Sequence, residues 1–355
     1  MAAAPNNGGG LFNSLSRRVS TLSVSSLSRG FTSLTGLGSK SGDGAEFPRD
    51  IEWSEACASC ADPCADHRAT MSARLAAKVA TKAPLAGSIK PYTHHVVVCT
   101  GNTAHSWADH ADRESPLLAA VEVACRSIQG DGIGRIMATV CDRMPKGGVQ
   151  HFYSPMAAAD GHHDEIECGD IMVFPTRKLI TGVTAGNAKR VLEDAFFSAD
   201  GSIRPVDAVV QAAEEAATKG VEGLPVPAIL PLDLDHCVLV CSHKKRDSRC
   251  GEAGPILIDA FHDEIVRLEE ARTFVHGTVG VFGTSHIGGH KFAGTLIVYS
   301  GGEGHFYGRV RTCDVPTLVQ EQILHGKAVK HLWRGRVTPP EIARAESANN
   351  VNEVN

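Results

Sequence analysis

The stretch His236-Cys237-Val238-Leu239-Val240-Cys241 is a β-rich apolar run that ends in a cysteine. A polar loop with Gly251 and Gly254 follows, and then Pro255. Proline suits a first helical turn, so Pro255 predicts the start of a helix carrying Leu257, Phe261, Ile265 and Leu268 at helical spacing. Strands are expected over 278–282, 293–299 and 305–310, and a helix over 315–324. Working outward, the same order stands upstream. His94-His95-Val96-Val97-Val98-Cys99 reads as a strand and leads into a polar loop with Gly101 and Asp109. A helix capped by Ser115 and opened by Pro116 follows, with Leu117, Leu118, Val121 and Ala124 as its stripe. Strands over 135–141 and 170–174 and a helix over 187–197 complete the unit. Two such patterns roughly 140 residues apart predict a duplicated α/β fold.

Strand, loop, helix, then a strand pair and a helix is the order of a thioredoxin-like domain. The expected fold class is therefore α/β, two thioredoxin-like domains in tandem with disordered termini. Residues 214–231 are rich in Gly, Pro and Ala and show no clear strand, which places a boundary near 225. The expected division is a tail over 1–45, an N-terminal domain over 46–225, a C-terminal domain over 226–340 and a tail over 341–355.

Composition narrows the function. The 355 residues are 43% hydrophobic and 21% charged, ordinary values for a chain that buries a core. Lys+Arg total 35 against 40 Asp+Glu, a net charge of -5 that argues against a dedicated nucleic-acid binder. No apolar run approaches the roughly 20 residues of a membrane-spanning helix. Residues 1–42 contain no Asp or Glu, ten serines and the basic residues Arg17, Arg18, Arg29 and Lys40. An Arg- and Ser-rich, acid-free start resembles a mitochondrial or plastid transit peptide, with a disordered cytosolic tail as the alternative. Both place the protein inside the cell. Eleven cysteines and seventeen histidines are the unusual feature. An odd cysteine count with no apolar signal segment ahead of it points to metal or redox use rather than a secreted disulfide framework.

The chemistry concentrates in the second pattern. Eight residues separate Cys241 from Cys250, too many for a tight vicinal redox pair and enough for a loop to wrap around a cluster. His286-Ile287-Gly288-Gly289-His290 sets two imidazoles four apart on a Gly-rich loop whose backbone permits tight curvature and close approach. Two Cys with two His accept zinc or iron–sulfur iron; two Cys on one iron and two His on the other is the Rieske ligand set. The first pattern ends its strand in Cys99 and has no partner cysteine in the following loop.

These residues, with Gly254-Pro255, Ser285 and Lys291-Phe292-Ala293-Gly294, resemble the sucrase/ferredoxin-like family. The resemblance extends to 85–92, 170–175 and 332–336 and so covers most of 57–336. Its members include thioredoxin-like [2Fe-2S] ferredoxins of fungi and plants. The resemblance implies a thioredoxin-like ferredoxin domain at the C-terminus. It further implies one [2Fe-2S] cluster, with Cys241 and Cys250 on one iron and His286 and His290 on the other. The chain would then be a non-catalytic electron carrier serving an unidentified redox partner protein. No carboxylate pair offers the acid and nucleophile roles of sugar hydrolysis.

Two other classes compete: a thiol–disulfide oxidoreductase using Cys241 and Cys250 directly, and a zinc-stabilised interaction module. Cys57, Cys60 and Cys64 form a candidate second metal site or thiol switch. Trp333 and Arg336 are candidates to cover the cluster or meet a partner, with a packing anchor as the plainer role. Lys244, Lys245, Arg246 and Arg249 could balance cluster charge or dock an acidic partner. Cys237 is the spare ligand if the strand stays regular, and His243 is expected beside the site rather than on the metal.

Overall fold

The computed structural model describes residues 47–57, 71–102, 106–110, 115–129, 133–146, 150–153, 165–197, 226–272 and 277–337. The two expected tails, Cys60, Cys64 and most of the inter-domain link fall outside them.

Strands β1 (Trp53–Ser54), β2 (His94–Cys99), β3 (Ile136–Cys141), β4 (Gln150–Tyr153), β5 (Glu165–Phe174) and β6 (Lys178–Thr184) precede the link. Helices α1 (Ala73–Ala76), α2 (Pro116–Ile128) and α3 (Ala188–Phe196) lie among them. After the link come β7 (Ala228–Pro231), β8 (His236–Cys241), α4 (Ser248–Glu270) and β9 (Val279–Thr284). The chain continues with β10 (Leu296–Ser300), β11 (Glu303–Tyr307), the short turn α5 (Val315–Thr317), β12 (Ala328–Val329) and β13 (Trp333–Val337).

Eleven strands form one mixed sheet in the order β13-β11-β10-β8-β9-β3-β2-β5-β6-β7, with β4 paired to β5. One strand arrangement occurs twice in that order. β2 and β3 are parallel and β5 runs antiparallel to β2. Likewise β8 and β9 are parallel and β10 runs antiparallel to β8. The halves join where β3 meets β9, at the Cys141–Thr284 pair. There Ser285 N donates to Val140 O at 2.9 Å, and Val140 N donates in return to the Ser285 side-chain Oγ. β8 is buried on both faces, which is why its sequence reads as an unbroken apolar run. Its even and odd residues separate as a regular strand requires. Val238 and Val240 pack with Leu257 and Phe261 of α4, while Cys237, Leu239 and Cys241 face a core shared with the first half. That shared core shows that the sheet curls over itself. Tyr299 of β10 stacks on Phe174 of β5 with centroids 4.0 Å apart, although four strands separate them in the sheet order.

Three local expectations change. Helix α4 begins at Ser248, a full two turns before Pro255, because the Asp247 side chain caps it by accepting from Arg249 N at 2.9 Å. The expected helix over 315–324 is a single α turn followed by a π-helical turn over Leu318–Leu324. The link ends in a strand, since β7 pairs antiparallel with β6. The N-terminal segment also has an unforeseen place. β1 pairs parallel with β12, and Phe47 and Trp53 pack on Trp333 in the core of the second half.

Candidate metal centre

Cys241 is the last residue of β8, and Cys250 lies in the first turn of α4, not in a loop. The glycines of Cys250-Gly251-Glu252-Ala253-Gly254 make their meeting possible. A Cβ on Gly254 would stand 2.7 Å from Ser242 Cα and 2.8 Å from Cys241 O, and one on Gly251 would stand 2.6 Å from Lys244 Cα. Only bare backbone lets the helix lie directly on the strand end. The two thiols are 2% and 1% exposed. A hydrogen bond with Cys250 holds the Cys241 thiol well below its ordinary value; burial opposes this, and His286 and the Ile287 amide add to it. The same bond raises Cys250, with burial adding to the rise. The shared contact thus pulls the two thiols in opposite directions.

The imidazoles arrive from the loop after β9. The β3–β9 junction fixes its start, with Val140 N donating to Ser285 Oγ at 3.1 Å. Ile287 is buried in the shared core. Gly288 and Gly289 then take φ of 81° and 75°, a left-handed pair that turns the chain back. This return sets His290 Nδ1 3.4 Å from His286 Nε2, with ring centroids 4.9 Å apart. Both rings are half-buried. Burial, then the neighbouring His286, lowers the basicity of His290. His286 Nδ1, the ring nitrogen that does not face His290 Nδ1 in that contact, is buried and has no hydrogen-bond partner.

All four residues singled out in the sequence thus meet. Among the described residues no three His, Cys, Asp or Glu side chains gather around one point as a single ion would need. The arrangement is two pairs, dithiol and di-imidazole, bridged by the Cys241–His286 contact. The donor set and the orphaned Nδ1 fit a group offering two acceptor positions on each of two metals.

The other candidates lie elsewhere. Cys237 does share the face of Cys241, but four residues of strand separate them by roughly 13 Å. Burial pushes its thiol up. His243 turns Nε2 to the carbonyl of Ala108 and stacks edge-on with Trp107. Cys57 is exposed and 3.1 Å from Thr317 Oγ1. Trp333 donates to His305 Nδ1 at 3.1 Å, and Arg336 pairs with Asp50 at 2.5 Å. Both are buried. Arg249 is engaged by Asp247, while Lys244, Lys245 and Arg246 are exposed beside the site. In the first half, Cys99 at the end of β2 meets Cys141 across 4.0 Å, and that contact with burial raises its pKa. A cleft of about 170 Å³ opens beside His286, lined by Asp109, Glu122, Thr139, His243, Arg246 and Ser285. Sequence reading missed Arg334. It is 1% exposed and reaches the Gly288 carbonyl, a placement that only the burial of β13 reveals.

The fold and the site define a mixed α/β protein that pairs a buried dithiol with two imidazoles at the end of a central strand. Over residues 85–335 the chain matches the sucrase/ferredoxin-like family, and it belongs to that family. Among curated proteins it is 40% identical over 103 residues to altered inheritance of mitochondria protein 32 of Debaryomyces hansenii, 28% of this chain and 35% of that one. It is 36% identical over 109 residues to the protein of the same name from Saccharomyces cerevisiae, 28% of this chain and 32% of that one. The matched segment spans about a third of these relatives. Among solved structures it is similar to a thioredoxin-like [2Fe-2S] ferredoxin from Aquifex aeolicus, at 21% identity and a TM-score of 0.25, covering 30% of this chain and 94% of that one. No helix among the described residues is long and apolar enough to cross a membrane.

Proposed function

We propose that the chain is an electron-transfer protein carrying one [2Fe-2S] cluster, with Cys241 and Cys250 on one iron and His286 and His290 on the other. The convergence of these four side chains carries the reading. Two donors per iron match two pairs better than one zinc, which would draw all four to within about 2.3 Å of a single point. The thiol oxidoreductase reading suffers from burial, because exchange needs a thiolate that a disulfide can reach. A cluster so held takes up and gives back one electron. The chain's own residues do the rest. The buried cysteines shield one end from water, and the half-exposed histidines offer the edge through which a partner makes electronic contact. The exposed Lys244, Lys245 and Arg246 favour an acidic partner there. We further read the chain as two thioredoxin-like units divided near 225, with the second as the ferredoxin unit. The names of the relatives support placing the protein in mitochondria.

Visible and EPR spectra of anaerobically purified protein, with iron and sulfide analysis, test the reading. Two irons per chain, and a reduced signal altered by His286→Ala and His290→Ala, are expected. A colourless protein that takes up zinc, or no metal after iron–sulfur reconstitution, overturns it.

A further inference from the structure

Arg334 is among the largest side chains sealed inside the protein, and its surroundings are unusual for a cation. Buried guanidinium groups are ordinarily matched by a carboxylate, since an unpaired buried charge costs several kcal/mol. Among the described residues none pairs with Arg334. Its Nε donates to Ser88 Oγ at 3.1 Å, Nη1 to Gly288 O at 3.2 Å and Nη2 to Ser88 O at 3.4 Å. The guanidinium lies 5.3 Å from the centre of the Phe292 ring. Burial lowers its pKa to about 10, leaving it charged at neutral pH, and the Cys241 thiolate is the first of the groups whose field opposes that fall. Room has been cleared for it on two sides. A Cβ on Gly289 would stand 2.0 Å from Nη2, and one on Gly308 would stand 2.7 Å from Cδ.

We propose that Arg334 is a positioning residue of the metal centre, the fixed countercharge to the Cys241–Cys250 side and the strut that holds the Gly288–Gly289 turn and so the two imidazoles. This rests on the cluster reading above. A cation in the protein interior stabilises added negative charge, so it raises the reduction potential of what the cysteines hold. The strut needs the planar fork: one face serves Gly288 and the other Ser88, a geometry that lysine cannot reproduce.

Arg334→Lys and Arg334→Gln in the full chain separate the two roles, with midpoint potential and amide hydrogen exchange over 286–290 as readouts. Arg334→Gln is expected to lower the equilibrium constant for reduction at least tenfold, 59 mV for a one-electron couple. Arg334→Lys is expected to stay within threefold of the wild type. In the metal-free protein both variants should exchange the 286–290 amides at least tenfold faster. Equal potentials for Arg334→Gln and the wild type overturn the countercharge, as does a tenfold drop in Arg334→Lys. Unchanged exchange overturns the strut. Should Arg334→Gln fail to fold, Arg334→Lys alone decides through the same two readouts. A wild type that binds no cluster overturns the cluster reading instead, and the exchange measurement still decides the strut.

Discussion

The imidazole of His95 in β2 stands 2.7 Å from the Tyr299 hydroxyl in β10, on strands that belong to opposite halves of the sheet. Its other nitrogen is 2.7 Å from Thr139 Oγ1, and Thr284 Oγ1 donates to Thr139 in turn at 3.3 Å. A buried polar chain thus crosses the shared core, where each member satisfies the next. His95→Ala removes the centre of the chain, stranding the Tyr299 hydroxyl and leaving Thr139 with Thr284 alone. It should cost about 2–4 kcal/mol in urea unfolding, whereas Tyr299→Phe, which removes one partner only, should cost about 1–2 kcal/mol.

The same burial makes stability depend on pH. Burial pulls His95 down to about 3, and burial with Lys178 pulls His94 down to about 4. Both therefore stay neutral in the folded protein while the unfolded chain protonates them below about pH 6.5. Their contribution is complete above pH 6.5 and is lost as pH falls toward the folded values. Each imidazole should cost about 1.4 kcal/mol per pH unit between pH 6 and about 4. Unfolding midpoints measured across this window should fall. A flat profile would show that the two rings are hydrated.

The site offers a paired test of backbone requirement. Gly288 takes φ of 81° with nothing within 4 Å of an added Cβ, so Gly288→Ala should cost only the left-handed strain, about 1–2 kcal/mol, and retain iron. Gly254→Ala drives a Cβ into Ser242 and Cys241, separating helix from strand. Iron bound per chain should fall to less than half, although Gly254 is helical and alanine is the better helix former. Equal iron content in the two variants would mean that the close approach of α4 to β8 does not matter.

Much of this site was legible from residue types at fixed spacing. Cys241 closes an apolar run whose end is a strand end, and His286 and His290 share a loop marked by two glycines. What misled was Pro255, a good first-turn residue that here sits in the third turn because Asp247 supplies a stronger cap. What was invisible was long-range. Nothing in Trp53 or Phe47 says that they pack on Trp333, and β7 is too short to show a period. Arg334 lay in plain view between Trp333 and Arg336, yet its neighbours were the candidates. A charged residue in a buried strand is a signal only once the burial is known.

The exposed cations next to the histidine edge give the last prediction. Lys244, Lys245 and Arg246 crowd one turn after β8, and their charges act through solvent on anything approaching the half-exposed rings. Small redox reagents report that field without a cognate partner. Oxidation of the reduced protein by ferricyanide, an anion, should slow about tenfold in the Lys244→Glu, Lys245→Glu, Arg246→Glu triple variant. Oxidation by a cationic ruthenium hexaammine should quicken. Both differences should shrink as ionic strength rises past about 0.1 M, where the screening length falls to about 10 Å. Were both reagents slowed alike, the substitutions would have disturbed the centre itself. Were neither affected, electrons would leave by another face, and the cleft beside His286 would become the route to examine.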